Sequence, residues 1–344
     1  EQFVRLWRHQ RHAGDAQRLI GRAMRRTGLV FVALLLLFGG VLVLAPWYGW
    51  GTTPGRPQAF AVAKGASLTR VAADLERQGF IRSASEFRLL ARLLGDDGAV
   101  QAGTYRLRPH QGGASILKAL QQGAVQRLAI TIPEGWPAVL VADRLNAVPD
   151  LKGTVAAPPE GSVLPDTYEY QPGEPRAAVL KRMQAAMDRA LADLWPKRSA
   201  RTAVKTPAEA VILASIVEKE TGKASERRTI AGVYSNRLRI GMKLDADPTV
   251  IYPITQGRPL GRRIRRSELN RDTGYNTYLK PGLPRGPIAN PGRDSLMAVL
   301  DPGDTEALYF VADGSGGHVF AKTLAEQNAN RERWFAIRRQ RGEM

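Results

Sequence analysis

The stretch Thr206-Pro207-Ala208-Glu209-Ala210-Val211-Ile212-Leu213-Ala214-Ser215-Ile216-Val217-Glu218-Lys219-Glu220-Thr221-Gly222 decides how the larger part of this chain is read. It opens as a helix start, with Thr206 as N-cap, Pro207 at the first helical position and Glu209 as the capping-box partner. Gly222 supplies the stop. From Ala210 to Val217 every residue is apolar or small, so the pattern predicts a helix buried on most sides, at the centre of a domain. Glu218 closes the run in line with Val211, Ala214 and Ser215 at helical spacing. Desolvation at such a position favours the protonated carboxyl, which is how an enzyme keeps a glutamic acid ready at neutral pH. Two readings stay open here. Either Glu218 and Glu220 are helix-end residues that are solvated or paired with Lys219, Lys223 or Arg227-Arg228, or Glu218 does chemistry.

Working outward, 344 residues with 44% hydrophobic content suggest about two domains with ample cores. Cysteine is absent, which excludes disulfides, thiolate catalysis and cysteine metal sites. The four histidines, His9, His12, His110 and His318, show no metal-ligand spacing, so neither a catalytic zinc nor another cofactor is expected. A formal charge of +18 raises nucleic acid as a partner. Topology argues against it.

Residues 1–28 form a basic arm with seven arginines against Glu1 and Asp15. The apolar run Leu29 to Ala45 follows, ending in Trp47, Tyr48 and Trp50, and no charged residue stands between Arg26 and Arg56. That length crosses a bilayer, the three aromatic residues read as an interfacial belt, and the arginine arm stays on the cytoplasmic side. A cleaved signal peptide is the competing reading, since Val43-Leu44-Ala45 resembles a cleavage site, but Pro46 and the aromatic residues favour an uncleaved anchor. The expectation is a single-pass protein of the cell inner membrane whose remainder is extracytoplasmic, where DNA is not available.

Gly51 to Gln58 reads as a short tether. Ala59 to Val62 then reads as a strand, Ser67 as the N-cap of a helix to Gln78, Ser83 to Leu94 as a second helix, Gly103 to Leu107 as a strand, and Ser115 to Gln121 as a further helix. This β-α-α-β order, with the opening "VAKGASLTRVAADL", resembles the small glycan-binding LysM module; the alternative is a packing domain without a ligand. A strand at Leu128 to Ile132 enters the larger domain, and helices are expected at Trp136–Leu145, Pro175–Trp195, Pro207–Thr221 and Arg227–Ile240. Gly161 to Tyr168 is turn-rich. Asp245 to Gly292, full of Pro, Gly, Asn, Asp and Arg, reads as functional loops on a scaffold, with Asp247-Pro248 loop-forming. A hairpin from Leu308 to Phe320 and a helix from Leu324 to Arg339 close the chain.

Six motifs occur in order: "IPEG" (132–135), "LPDTY" (164–168), "LASIVEKET" (213–221), "ERRTIAGVYSNRLRIGMKLDADPTVIY" (226–252), "YNTYLKPGLPRGPIANPG" (275–292) and "LYFVADGSGGHVF" (308–320). Together they resemble the membrane-bound endolytic murein transglycosylase family, MltG or YceG-like. The resemblance implies lytic cleavage of the MurNAc-β-1,4-GlcNAc bond within nascent peptidoglycan strands, without water, to leave 1,6-anhydroMurNAc ends. It also implies that Glu218, the first glutamate of "EKE", is the catalyst, and that peptidoglycan synthases such as penicillin-binding proteins are partners. A lyase of this kind needs one acid that protonates the leaving oxygen and then serves as base for the muramic C6 hydroxyl. Ordinary glycosidases need two carboxylates. Glu220 lies about 200° around the helix from Glu218 and is a poor second acid; Glu226, Asp245 and Asp247 stay open, with Glu226 expected to position Arg227 or a substrate amide.

The resemblance makes the loops around 275 and 290 the cleft lining, and aromatic rings and carboxamides suit sugar faces and N-acetyl groups. Asn236, Tyr252, Tyr275, Asn276, Asn290 and Glu226 are therefore the candidate substrate-binding residues beside Glu218, with Thr249 and Ser215 as weaker ones; each has a loop-fixing role as its alternative. The arginines 258, 262, 263, 265 and 266 read as a solvated loop, or as a contact for stem-peptide carboxylates or anionic lipid. The expected class is α+β: arm 1–28, transmembrane anchor 29–50, tether 51–58, LysM-like domain 59–127 and catalytic domain 128–344. The rivals are a hydrolytic muramidase and a peptidoglycan-binding scaffold of the growth or division machinery.

Overall fold

The computed structural model describes residues 29–50, 53–95, 98–123 and 127–343, so the basic arm and the start of the tether lie outside the described residues. Among them the chain divides into two compact units, 1–126 and 127–344.

In the first unit, helix α1 (Leu29–Tyr48) has a mean hydropathy of 2.8 and is long and apolar enough to cross a membrane. Strand β1 (Gln58–Val62), helices α2 (Leu68–Arg77) and α3 (Ala84–Leu94), strand β2 (Gly103–Leu107) and helix α4 (Gly113–Gln122) follow. Ser67 and Ser83 begin α2 and α3 because their hydroxyls accept the backbone N–H groups of Arg70 and Glu86, each at 3.3 Å. The strands pair antiparallel with Phe60 opposite Tyr105, and both rings enter a core with Val71, Leu75, Phe87, Leu90, Ile116 and Leu120. That core also contains Trp47, only 3% exposed, with its ring 5.7 Å from Phe87. Trp47 therefore departs from the expected interfacial belt. Its place is kept by Gly113, where a Cβ would stand 2.7 Å from the indole. Tyr48 and Trp50 stay exposed and stack at 5.2 Å.

The second unit begins with β3 (Leu128–Thr131), α5 (Ala138–Asn146) and β4 (Thr167–Tyr170). It continues through α6 (Arg176–Leu194), α7 (Pro207–Glu220), α8 (Arg227–Arg239), α9 (Asp247–Thr255), α10 (Arg266–Leu269) and α11 (Arg293–Leu300), and ends with the hairpin β5 (Tyr309–Ala312) and β6 (His318–Ala321) and helix α12 (Leu324–Gln340). Four elements differ from the sequence reading, the short α10 inside the expected loops among them. The turn-rich "LPDTY" segment supplies β4, which pairs antiparallel with β3, Ile130 opposite Tyr168. Asp247-Pro248 opens helix α9 rather than a loop, because a proline fits the first turn, where no N–H is needed. The residues after Asn290-Pro291-Gly292 form α11.

α7 is the axis of this unit. Leu213, Ala214, Ser215, Ile216 and Val217 are fully buried, and α8, α9 and α11 pack around them. A smaller core of Ile130, Ile132, Val141, Leu145, Val163, Val179 and Met183 joins the β3–β4 pair to α5 and α6. Its edge is stitched by buried Arg176, whose guanidinium donates to the carbonyls of Leu145 (2.7 Å), Gly153 and Val148. Such a cation is stabilised by carbonyl dipoles rather than by a carboxylate.

Candidate active site

The site grows from the last turn of α7. Ser215 accepts the backbone N–H of Ile288 at 3.1 Å, and Glu218, one turn on, accepts that of Gly292 at 2.9 Å through Oε2. One helical turn thus fixes both ends of the segment Ile288 to Gly292. Between them Asn290, fully buried, acts as a clamp. Its Oδ1 accepts Val163 N–H at 3.0 Å, its Nδ2 donates to Trp136 O at 2.9 Å, and its carbonyl accepts Gly135 N–H at 3.0 Å. Three sequence-distant motifs converge on it.

The clamp carries the β3–α5 connection over Glu218. Gly135 has φ +69°, and a Cβ there would stand 3.4 Å from Glu218 Cγ, so the turn needs glycine on both conformational and steric grounds. Glu134 just before it is half exposed. Glu218 itself has a side chain only 7% exposed. Arg227, the first residue of α8, lies between them: its Nη2 is 3.7 Å from Glu218 Oε1 and 3.7 Å from Glu134 Oε2, and its Nη1 is 3.4 Å from Asp294 Oδ2. Burial and then the charge of Glu218 raise the Glu134 carboxyl above its ordinary range, while Arg227 pulls the other way and Asp294 adds to the rise. Glu134 is the functional candidate that the sequence reading missed. Its signal was present in "IPEG", a charged residue set between a strand and a glycine turn.

The remaining candidates separate into two groups. Tyr252 and Tyr275 belong to the same face, with ring centroids 4.9 Å apart and the guanidinium of Arg285 4.6 Å over Tyr275. Tyr252 hydrogen-bonds Glu160, which also accepts Ala138 N–H at 2.9 Å and lies 3.3 Å from Asn290 Nδ2. Burial, opposed by those hydrogen bonds, pushes Glu160 up to about 7. Asn236, Asn276 and Glu226 instead fix backbone. Asn236 Nδ2 donates to the carbonyls of Thr305 (2.8 Å) and Ala307 (3.0 Å), and Asn276 Nδ2 to those of Leu269 (2.8 Å) and Arg271 (3.0 Å). Glu226 accepts from His318, through its backbone N–H at 3.1 Å and with Nδ1 at 2.8 Å, so it holds the β5–β6 hairpin rather than Arg227. Thr249 is likewise buried in a pair with Thr277 at 2.9 Å.

Glu220 faces away from this site, toward Asp247 and Arg237, and burial together with the Asp247 charge pushes it up to about 7. Glu220 is half-buried, and its charged neighbours are Asp247 and Arg237 rather than the Lys219 that one sequence reading allowed. In the arginine-rich loop, Arg258 pairs with Asp143 and Arg262 with Glu268, both at 2.5 Å.

The constellation is a buried carboxylate on a helix end, met by a backbone N–H and a guanidinium, with a half-exposed carboxylate beside it and an aromatic pair in the same unit. It can donate a proton, receive one back and stabilise the charge between. Comparison with known proteins gives the same part of the chain a family. An endolytic murein transglycosylase of Bacillus subtilis strain 168 is 28% identical over 312 residues, covering 81% of this chain and 85% of that protein. A protein of the same name from Streptococcus pneumoniae D39 is 26% identical over 343 residues, covering 85% of this chain and 61% of that protein. The crystal structure of a YceG-like protein from Listeria monocytogenes is 28% identical, covering 80% of this chain and 99% of that one at a TM-score of 0.49. The model of the YceG-like family matches residues 60–333, which takes in Glu134, Glu218, Arg227 and Gly292 together, and the chain belongs to that family.

Proposed function

We propose that this protein is a peptidoglycan lytic transglycosylase that cuts glycan strands internally, at the MurNAc-β-1,4-GlcNAc bond, and leaves 1,6-anhydroMurNAc ends. The observation that carries the reading is the seat of Glu218, nearly enclosed, with Gly292 N–H at 2.9 Å and the Arg227 guanidinium beside it. Glu218 gives its proton to the leaving glycosidic oxygen, and its carboxylate, received by that N–H and that cation, takes the proton of the muramic C6 hydroxyl as the hydroxyl closes on C1. Tyr252 and Tyr275 supply flat faces for sugar rings. The names of the curated relatives support the substrate class.

α1 supports a single-pass anchor with the catalytic unit outside the cytoplasmic membrane, where nascent strands and their synthases, such as penicillin-binding proteins, are found. The β1-α2-α3-β2 order of the first unit supports a LysM-like module. A hydrolytic muramidase is the second reading, favoured by one observation, the Glu134 carboxylate next to Glu218. Mass spectrometry of muropeptides released by the wild type and by Glu218→Gln decides. Anhydro ends that vanish in the variant support the lyase, reducing muramic ends support the hydrolase, and undiminished cutting by the variant removes Glu218 as catalyst.

A further inference from the structure

Glu134 and Glu218 approach one guanidinium nitrogen from two sides at equal distance, so their oxygens are no further apart than twice 3.7 Å. Gly292 stands between them. Its N–H bonds Glu218, and its bare Cα carbon leaves room for Glu134, whose Oε1 would lie only 2.0 Å from a Cβ. Both arginine distances exceed hydrogen-bond length, and Arg227 Nε is buried without a partner. The Nη2 end of the guanidinium is therefore shared between Glu134 and Glu218 and committed to neither, while Nη1 is held by Asp294 at 3.4 Å. Were the guanidinium closed bidentately on Glu218 alone, that group would be held as the carboxylate and lost as an acid. The charged groups around Glu134 are Glu218 and Lys219 of α7, Arg227 of α8 and Asp294 of α11; the Lys219 ammonium is turned to Gly135 O at 3.4 Å.

We propose that Glu134 is a positioning residue that acts through Arg227: it is the standing counter-ion of the guanidinium while Glu218 carries its proton, and it releases Arg227 toward Glu218 once that proton has left. This rests on Glu218 being the catalyst. In the first half of the reaction the Glu218 proton passes to the GlcNAc O4, and the bond from that oxygen to muramic C1 breaks with its electron pair on the oxygen. In the second half the C6 oxygen bonds to C1, and its proton returns to Glu218. The set Glu134, Arg227 and Glu218 goes from neutral to one negative charge and back, and the Nη2 end of the guanidinium follows the charge. Glu134 makes no bond to the sugar in this scheme. Its own carboxyl is raised first by burial and only then by the facing charge of Glu218, with Arg227 opposing.

The test uses the full chain in nanodiscs, digesting purified glycan strands over a series of pH values, with Glu134→Gln, Glu134→Asp and Glu218→Gln. In Glu134→Gln the Nη2 end of the guanidinium has only Glu218 to face, while Nη1 keeps Asp294 at 3.4 Å. The expected result is kcat lower by on the order of tenfold at neutral pH with KM and anhydro products unchanged, and recovery on acidification as the basic limb of the profile moves down by about one unit. Glu134→Asp keeps the charge and should keep the limb near its wild-type place. A loss by the same factor at every pH, a rise in KM at constant kcat, or a shift to reducing ends in Glu134→Gln overturns the proposal. With Glu218→Gln inactive, such results sink only the role of Glu134. An active Glu218→Gln sinks the catalytic reading and this inference together.

Discussion

Gly292 leaves Glu134 the space its carboxylate occupies: a Cβ on Gly292 would stand 2.0 Å from Glu134 Oε1 and 2.4 Å from its Cδ. The glycine has φ −71°, ordinary backbone that any residue adopts, so its identity is set by the neighbour and not by conformation. Gly292→Ala should therefore turn Glu134 away while costing less than about 1 kcal/mol of stability. The expected outcome is a digestion rate reduced on the order of tenfold beside a nearly unchanged melting temperature. A large drop in melting temperature would show that the loop, and not Glu134, is what the glycine protects.

Asn290→Ala removes a buried carboxamide and strands Val163 N–H, while Trp136 O keeps the backbone N–H of residue 290 at 3.0 Å. Orphaned buried groups of this kind cost about 1–3 kcal/mol each, so the variant should lose stability of that order in denaturant titration. Activity should fall with it even where the protein is folded, since the carboxamide fixes the backbone whose carbonyl holds Gly135 over Glu218.

Glu160 gives the second unit a dependence on pH. Its carboxyl is pushed up to about 7 in the folded chain from the ordinary 4.5, so the folded state binds the proton more tightly than the unfolded one. Its contribution is present in full below about 4.5 and is lost as pH rises through about 7. Denaturant titrations of the wild type at acid and mildly alkaline pH should differ by on the order of 3 kcal/mol at most from this group. Glu160→Gln should flatten that part of the difference, and Glu220, pushed to about 7 by burial, should contribute a separate fall of the same sign.

Glu226→Gln loses the charge that faces His318 Nδ1 at 2.8 Å. The hairpin it pins should loosen by about 1–3 kcal/mol, read in thermal melts or hydrogen exchange of residues 309–321. KM for glycan strands should not move. A KM effect without a stability effect would return Glu226 to the substrate-binding residues.

The helices were legible because their start signals are local. Ser67, Ser83 and Thr206 each accept the N–H three residues on, as their spacing to the apolar run implied. β4 and α11 were not, since four residues after a proline and eight after a glycine turn are too short to show a period. Glu218 was legible because its burial follows from the run before it. The carboxamides of Asn236 and Asn276 read the same in sequence whether they meet a sugar or a carbonyl; only the positions of Thr305 and Leu269 decide. Arg227 was legible as a partner of Glu218, but Glu134 was hidden for the same reason. Their relation is set by Asn290, which reaches back to Trp136 across a separation of 154 residues.

Trp47 has a mechanical consequence. A helix whose last turn is embedded in the core it leads into cannot act as a swivel, and the indole against Phe87 and Gly113 works as a keyed joint. If α1 is the proposed anchor, any tilt or roll that a bilayer imposes on it is passed to the β1–β2 sheet as rigid rotation. The first unit of such an anchored chain would meet its surroundings at an angle set by side-chain packing, and bilayer thickness would become a variable that steers it.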